Sequence, residues 1–148
     1  MPRRYVAVCG ASEATPSQVE AAREVGRLLA RSGAVVINGG YGGVSGAASE
    51  GAASEGGTVV GLLSEGDRAG ANPHLTVSLP TGLGQGRNLL IVTAAESVIA
   101  IGRGWGTLSE IAHARRLGRE VFALDTWDVD GLEKVDTPEE AVRRALEG

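Results

Sequence analysis

Apolar stretches recur along this chain at a regular interval, and each ends in glycine or a polar turn. Arg4–Cys9, Ala34–Asn38, Thr58–Leu63, Ser97–Ile101 and Glu120–Leu124 read as strands, and Leu75–Leu79 as a further short one. Their apolar runs are nearly continuous rather than alternating, as expected for strands covered on both faces of a parallel sheet. Between them the period changes. Val19, Ala22, Val25, Leu28 and Leu29 fall on one helical face, opened by Thr15 as N-cap and Pro16 as first helical residue and closed at Gly33. Further helices are predicted over about 44–55, 87–95 and from Thr107 to about Leu117, and a terminal helix begins at Thr137-Pro138, the same opening as the first.

Strand and helix therefore alternate through short turns, with no linker-like segment. This predicts one α/β domain over 1–148, a doubly wound parallel sheet of Rossmann-like type with helices on both faces and strand order of the 3-2-1-4-5 kind. Ligands of such sheets bind beyond the carboxyl ends of the strands where the order reverses. Here that point lies between the first strand and Ser97–Ile101.

Composition narrows the chemistry. Hydrophobic residues make up 43% of the 148, enough for one core. No apolar run approaches a membrane span, and Met1-Pro2-Arg3-Arg4 leads straight into the first strand with no apolar leader, so a cytoplasmic protein with no membrane partner is expected. The net charge of -4 and the lack of a basic run argue against nucleic acid as a partner. Thirteen of the fourteen basic residues are arginine, which leaves Lys134, in an acidic stretch, as the sole lysine. Schiff-base chemistry with pyridoxal phosphate is disfavoured on that ground. The lone Cys9 lies inside a strand and reads as a small buried hydrophobe. No group of residues has metal-ligand spacing. The three aspartates at 125, 128 and 130 read as a solvated turn.

Glycine is the outlier, with 23 residues, clustered at strand ends. Gly10-Ala11-Ser12, Gly39–Gly43 and Gly102–Thr107 are strand-to-helix turns at the expected ligand edge, and Thr81–Gly86 precedes another helix. Glycine admits close backbone approach, and a helix start presents free N–H groups and a positive dipole end. Together they form an anion site without lysine. The candidate phosphate contacts are Gly10, Ser12, Gly40, Gly42, Gly43, Thr81, Gly104, Gly106 and Thr107. Trp105 is a candidate to stack on a ring or to pack at a subunit contact. The absence of any Gly-Lys pair excludes a P-loop, and Asn38 at the end of the second strand supplies no acid for a ribose, against a dinucleotide dehydrogenase.

At Gly102-Arg103-Gly104-Trp105-Gly106-Thr107-Leu108-Ser109-Glu110 the chain resembles the Lonely-Guy (LOG) family, whose signature is P-G-G-x-G-T-x-x-E. Gly39–Ala47 is similar to that family's second glycine-rich segment, and Arg87-Asn88 stands where it has Arg-Lys. The resemblance covers nearly the whole domain, with the motifs in order. It implies hydrolysis of the N-glycosidic bond of nucleoside 5′-monophosphates, with Glu110 and Arg87 as catalytic residues, no required cofactor, and a homodimer, for which the small residues of Ala47–Ala53 offer a close-packing surface. Gly102, Arg103 and Asn88 depart from the signature. In those positions the chain looks closer to a sister branch that includes molybdenum-cofactor carrier proteins, which implies the alternative of a non-catalytic carrier with that pterin cofactor as ligand. Either reading makes the partner a small phosphorylated molecule. His113, His74, Glu65 and Asp67 are further polar residues that could lie near the ligand.

Overall fold

The computed structural model describes residues 3–147, so Met1 and Pro2, where the leader expectation begins, and Gly148 lie outside it. Seven parallel strands form one sheet: β1 (Tyr5–Gly10), β2 (Val35–Asn38), β3 (Val59–Leu63), β4 (Val77–Pro80), β5 (Ser97–Gly102), β6 (Glu120–Thr126) and β7 (Glu133–Lys134). Their spatial order is β4-β3-β2-β1-β5-β6-β7. This is the expected doubly wound arrangement, with an edge strand added on each side. The order reverses between β1 and β5, which pair directly from Val6↔Ser97 to Gly10↔Ile101.

Side chains alternate across the sheet. Val6, Val8, Val36, Ile99, Ile101 and Phe122 enter the layer under α1 (Pro16–Arg31), α2 (Gly43–Ser54) and α5 (Pro138–Ala145). Ala7, Cys9, Ile37, Val98, Ala100 and Val121 enter the opposite layer, with α3 (Arg87–Thr93) and α4 (Trp105–Arg116). Full burial of each larger aliphatic contributes roughly 1.5–3 kcal/mol before entropy is counted, so both layers are needed to hold the sheet.

The helix signals act as expected. Thr15 Oγ1 accepts from the Gln18 N–H at 3.2 Å while Gln18 Oε1 accepts from the Thr15 N–H at 3.1 Å, a reciprocal capping box ahead of Pro16. The small residues of α2 have a use within the chain. A Cβ on Gly26 would fall 2.0 Å from the Ala48 carbonyl oxygen, and one on Gly51 1.9 Å from that of Arg23. The Ala47–Ala53 stretch, offered by the sequence as a subunit surface, thus packs backbone to backbone on α1.

Two strand expectations shift. The fourth strand begins at Val77; ahead of it Thr76 joins β3 through its N–H on the Val59 carbonyl at 2.8 Å and its Oγ1, which accepts from the Val59 N–H at 2.9 Å. Leu75 leans over Gly61. The two-residue β7 is too short for a periodicity to reveal. No helix among the described residues is long and apolar enough to cross a membrane.

Candidate functional site

At the carboxyl edge, where β1 and β5 diverge, lies a cleft of about 280 Å³. The turn after β1 supplies Gly10 and Ser12, and the turn after β2 supplies Gly39, Tyr41, Gly42 and Ser45. Ser64 comes from just after β3, Gln85 from the short 3-10 turn Gly84–Gly86, and Arg87 and Asn88 from the start of α3. Gly104, Trp105, Gly106, Thr107 and Glu110 come from the start of α4. The strand ends can meet this closely because Gly10 has no side chain: a Cβ there would lie 2.3 Å from the Ile101 carbonyl oxygen.

The start of α4 is the most anion-ready part of the wall. Gly104 is its N-cap, with extended backbone and no side-chain cap, so the first-turn N–H groups have no partner from the helix itself. Thr107, in that turn, is 2% exposed. Its Oγ1 is the one buried side-chain oxygen or nitrogen without a hydrogen-bond partner among the described residues. A buried hydroxyl left unpaired costs about 1–3 kcal/mol, so its retention points to a partner supplied from outside the chain. The loop ahead of it is pinned at both ends by Thr126, the last residue of β6, and Trp127, the residue after it. Thr126 Oγ1 donates to the Gly102 carbonyl at 2.6 Å, and Trp127 Nε1 donates to the Gly104 carbonyl at 2.9 Å. Gly102 itself has φ +79°, closed to the proline of the Lonely-Guy signature, whose ring holds φ near −65°. The departure from that signature therefore changes the backbone path into the helix.

Arg87 is 9% exposed, and its guanidinium is engaged in the wall. Nε donates to the Leu62 carbonyl at 2.9 Å, Nη1 to Asn88 Oδ1 at 2.5 Å and Nη2 to the Gly39 carbonyl at 3.4 Å. Asn88 carries the connection on to α4, with Nδ2 donating to Ser109 Oγ at 3.0 Å and to Gln85 Oε1 at 3.2 Å. The two residues tie β3, the β2 turn and α4 into one wall.

Glu110 faces the cleft from the second turn of α4 and is 7% exposed. Burial pushes its carboxyl up to about 7, while the Cys9 thiol, hydrogen-bonded to it, and the charge of Arg87 pull it back down. Near neutral pH it is divided between neutral acid and carboxylate. Cys9, 1% exposed, is the buried residue expected, and burial together with Glu110 pushes its thiol well above its ordinary range. It is held as an unreactive thiol.

The cleft thus unites Gly10, Ser12, Gly42, Arg87, Gly104, Trp105, Gly106, Thr107 and Glu110 of the residues singled out by sequence. Gly40, Gly43 and Thr81 stand outside its wall. A Cβ on Gly40 would strike Leu63 at 2.4 Å, one on Gly43 would strike the Ala11 carbonyl oxygen at 2.4 Å, and the Thr81 hydroxyl donates to the Leu63 carbonyl at 2.7 Å. His113, His74, Glu65 and Asp67 also lie outside. Tyr41, Ser64 and Gln85 were missed. Tyr41 sits among glycines as the only ring of its turn, and its hydroxyl accepts from the Glu65 N–H at 3.2 Å. Trp127 was missed too, and nothing in its local sequence ties it to a loop 23 residues earlier.

Known proteins share this fold. The model of the SLOG cluster4 family matches residues 3–147. The chain belongs to the SLOG cluster4 family. A relative, an uncharacterized protein of Archaeoglobus fulgidus, is 40% identical over 147 residues, covering 99% of this chain and 97% of its own length. Among solved structures, the molybdenum cofactor binding protein of the phototrophic bacterium Rippkaea orientalis superposes with a TM-score of 0.93 at 30% identity, covering 97% of this chain and 96% of that one. The molybdenum cofactor carrier protein of Chlamydomonas reinhardtii superposes with a TM-score of 0.89 at 25% identity, over 98% of this chain and 99% of that one. These similarities lie on the carrier side of the resemblance read from sequence; neither structure is named as a phosphoribohydrolase. This SLOG cluster4 chain shares with them the sheet and its carboxyl edge over almost its full length.

Proposed function

We propose that this protein binds molybdenum cofactor, a phosphorylated pterin, as cargo and carries it without turning it over. The observation that carries the reading is the unpartnered Thr107 hydroxyl in the open first turn of α4. The ligand's phosphate rests on the N–H groups of Gly106 and Thr107, with the Thr107 hydroxyl as a further donor and the helix dipole favouring the charge. Gly10, Ser12 and Gly42 close the other side with backbone and a small hydroxyl. Glu110, partly protonated near neutral pH, donates a hydrogen bond to the ligand in its acid form. The molybdenum and its pterin bring redox chemistry to whichever enzyme receives them; this chain's residues hold, orient and shield. The names of the Rippkaea and Chlamydomonas proteins support the choice of ligand.

The hydrolase reading fits these residues less well. Cleavage of an N-glycosidic bond builds positive charge on the sugar and needs a carboxylate beside it. Arg87, which the Lonely-Guy resemblance pairs with Glu110, is bound to two backbone carbonyls and Asn88 and so suits a rigid wall. Purified protein incubated with molybdenum cofactor and passed through a desalting column tests the proposal. Retention of stoichiometric cofactor is expected, with no base released from AMP in a parallel incubation. Failure to retain cofactor, or steady base release, would overturn it. A homodimer belongs to the same proposal, and a monomer mass by analytical ultracentrifugation would remove that part.

A further inference from the structure

Trp105 is 78% exposed, yet it forms part of the cleft wall and is the first residue of α4. Its ring centroid lies 5.1 Å from that of Trp127, with the planes tilted by 36°. Trp127 therefore backs one side of the ring, and the exposure of Trp105 leaves the other side open. The backing ring is itself fixed, since its Nε1 donates to the Gly104 carbonyl at 2.9 Å and the preceding Thr126 donates to the Gly102 carbonyl at 2.6 Å. The same two residues that pin the approach to α4 thus also set the ring beside it. A large ring at the lip of a polar cleft offers a π-face to any planar heterocycle, and such stacking tolerates different ring identities. Trp105 and Thr107 line the same cleft, so a ligand whose phosphate sits in the first turn of α4 has this ring within the same wall to meet its remaining atoms.

We propose that Trp105 is the ring-stacking contact of the cleft and gives it preference for phosphate monoesters of planar fused heterocycles over phosphates without a ring, with Trp127 as the positioning residue that holds it. The inference rests on the phosphate cradle of the reading above and does not depend on the ring being the molybdenum pterin.

Both tryptophans of the chain belong to this pair, so its intrinsic tryptophan fluorescence reports on nothing else. The full-length protein is titrated with GMP, a phosphorylated pterin and ribose 5-phosphate, following fluorescence and, by calorimetry, affinity. The heterocyclic phosphates are expected to quench the signal and to bind about tenfold or more tightly than ribose 5-phosphate. Trp105→Ala brings them to within about twofold of it and Trp105→Phe restores most of the gap. Trp127→Ala narrows the gap, and Trp127→Phe, which loses the same Nε1 bond to Gly104 but keeps a backing ring, narrows it less. An equal loss for all three ligands in Trp105→Ala overturns the proposal, as does undiminished discrimination. So does a lower oligomeric mass in Trp105→Ala with discrimination intact, which would make Trp105 a contact between copies. Discrimination of GMP through Trp105 without any pterin binding leaves the platform standing and removes the carrier reading. Pterin binding that ignores Trp105→Ala does the reverse, and binding of neither heterocycle overturns both.

Discussion

Two glycine-rich turns leave the same edge of the sheet, and the fold uses them differently. In Gly39–Gly43 the missing side chains make room for neighbours. Gly40 and Gly43 have φ of +81° and +63°, and a Cβ on either would fall 2.4 Å from Leu63 or from the Ala11 carbonyl. One free first-turn N–H of α2 is also taken, Val44 donating to the Ala11 carbonyl at 3.0 Å. In Gly104–Thr107 a Cβ would meet no atom closer than 3.4 Å at Gly104, and only the Gln85 side-chain oxygen, at 3.2 Å, at Gly106. That turn keeps open N–H groups and an unpaired hydroxyl. Glycine content marks both as phosphate loops; what a side chain would strike separates a packing turn from an anion turn.

The largest expected effect breaks the first turn. Gly43→Ala combines a left-handed backbone with a clash against main chain, and should cost about 3 kcal/mol, lowering the thermal midpoint by roughly 10 °C. Gly106→Ala, which meets only a movable side-chain end, should cost less than about 1 kcal/mol while still weakening ligand binding. Equal losses of stability in the two variants would erase the contrast.

The next effect concerns the carboxyl facing the second turn. The carboxyl of Glu110 lies at about 7 in the folded protein against 4.5 ordinarily. Between those values the folded protein holds a proton that the unfolded chain has released. This contribution to stability is complete below about pH 4.5 and is lost as pH rises through about 7. Up to about 3 kcal/mol is involved. Chemical denaturation from pH 5 to 8 should show this decline in the wild type and not in Glu110→Gln. Parallel profiles would mean that the carboxyl is not buried as described.

Thr107→Val sharpens the comparison further. It removes a buried hydroxyl without a partner, so the ligand-free protein should be unchanged or more stable by about 1 kcal/mol in urea unfolding. Affinity for a phosphorylated ligand, by calorimetry, should fall about tenfold. A loss of stability instead would reveal a partner within the chain. The smallest effect is expected at Gly42→Ala. Gly42 has φ −98° and nothing within 4 Å of a built Cβ, so the thermal midpoint should move by no more than about 0.5 kcal/mol allows.

The strand-helix alternation was legible because each buried strand carries its own apolar run and each helix its own cap, as at Thr15-Pro16-Ser17-Gln18. The switch point followed from that order. The anion turn at Gly104–Thr107 was legible as a motif, and Arg87 and Glu110 as residues near it. The roles of the latter two were not, because they depend on partners distant in sequence: Leu62 and Gly39 for Arg87, and Cys9 for Glu110. Gly40 and Gly43 could not be told from ligand contacts because their neighbours, Leu63 at the end of β3 and Ala11 in the turn after β1, come from elsewhere in the chain. Trp127 was hidden for the same reason, since its hydrogen bond to Gly104 exists only once β5 and β6 lie side by side.

In the carrier reading the phosphate of the ligand rests on the start of α4. Backbone amide NMR of the uniformly nitrogen-15-labelled protein, titrated with a phosphorylated pterin, addresses each turn separately. Saturable shifts are expected to be largest at the Gly106 and Thr107 amides, with Gly40 and Gly43 nearly unmoved. Largest shifts at Gly40 and Gly43, with the α4 amides unchanged, would contradict it.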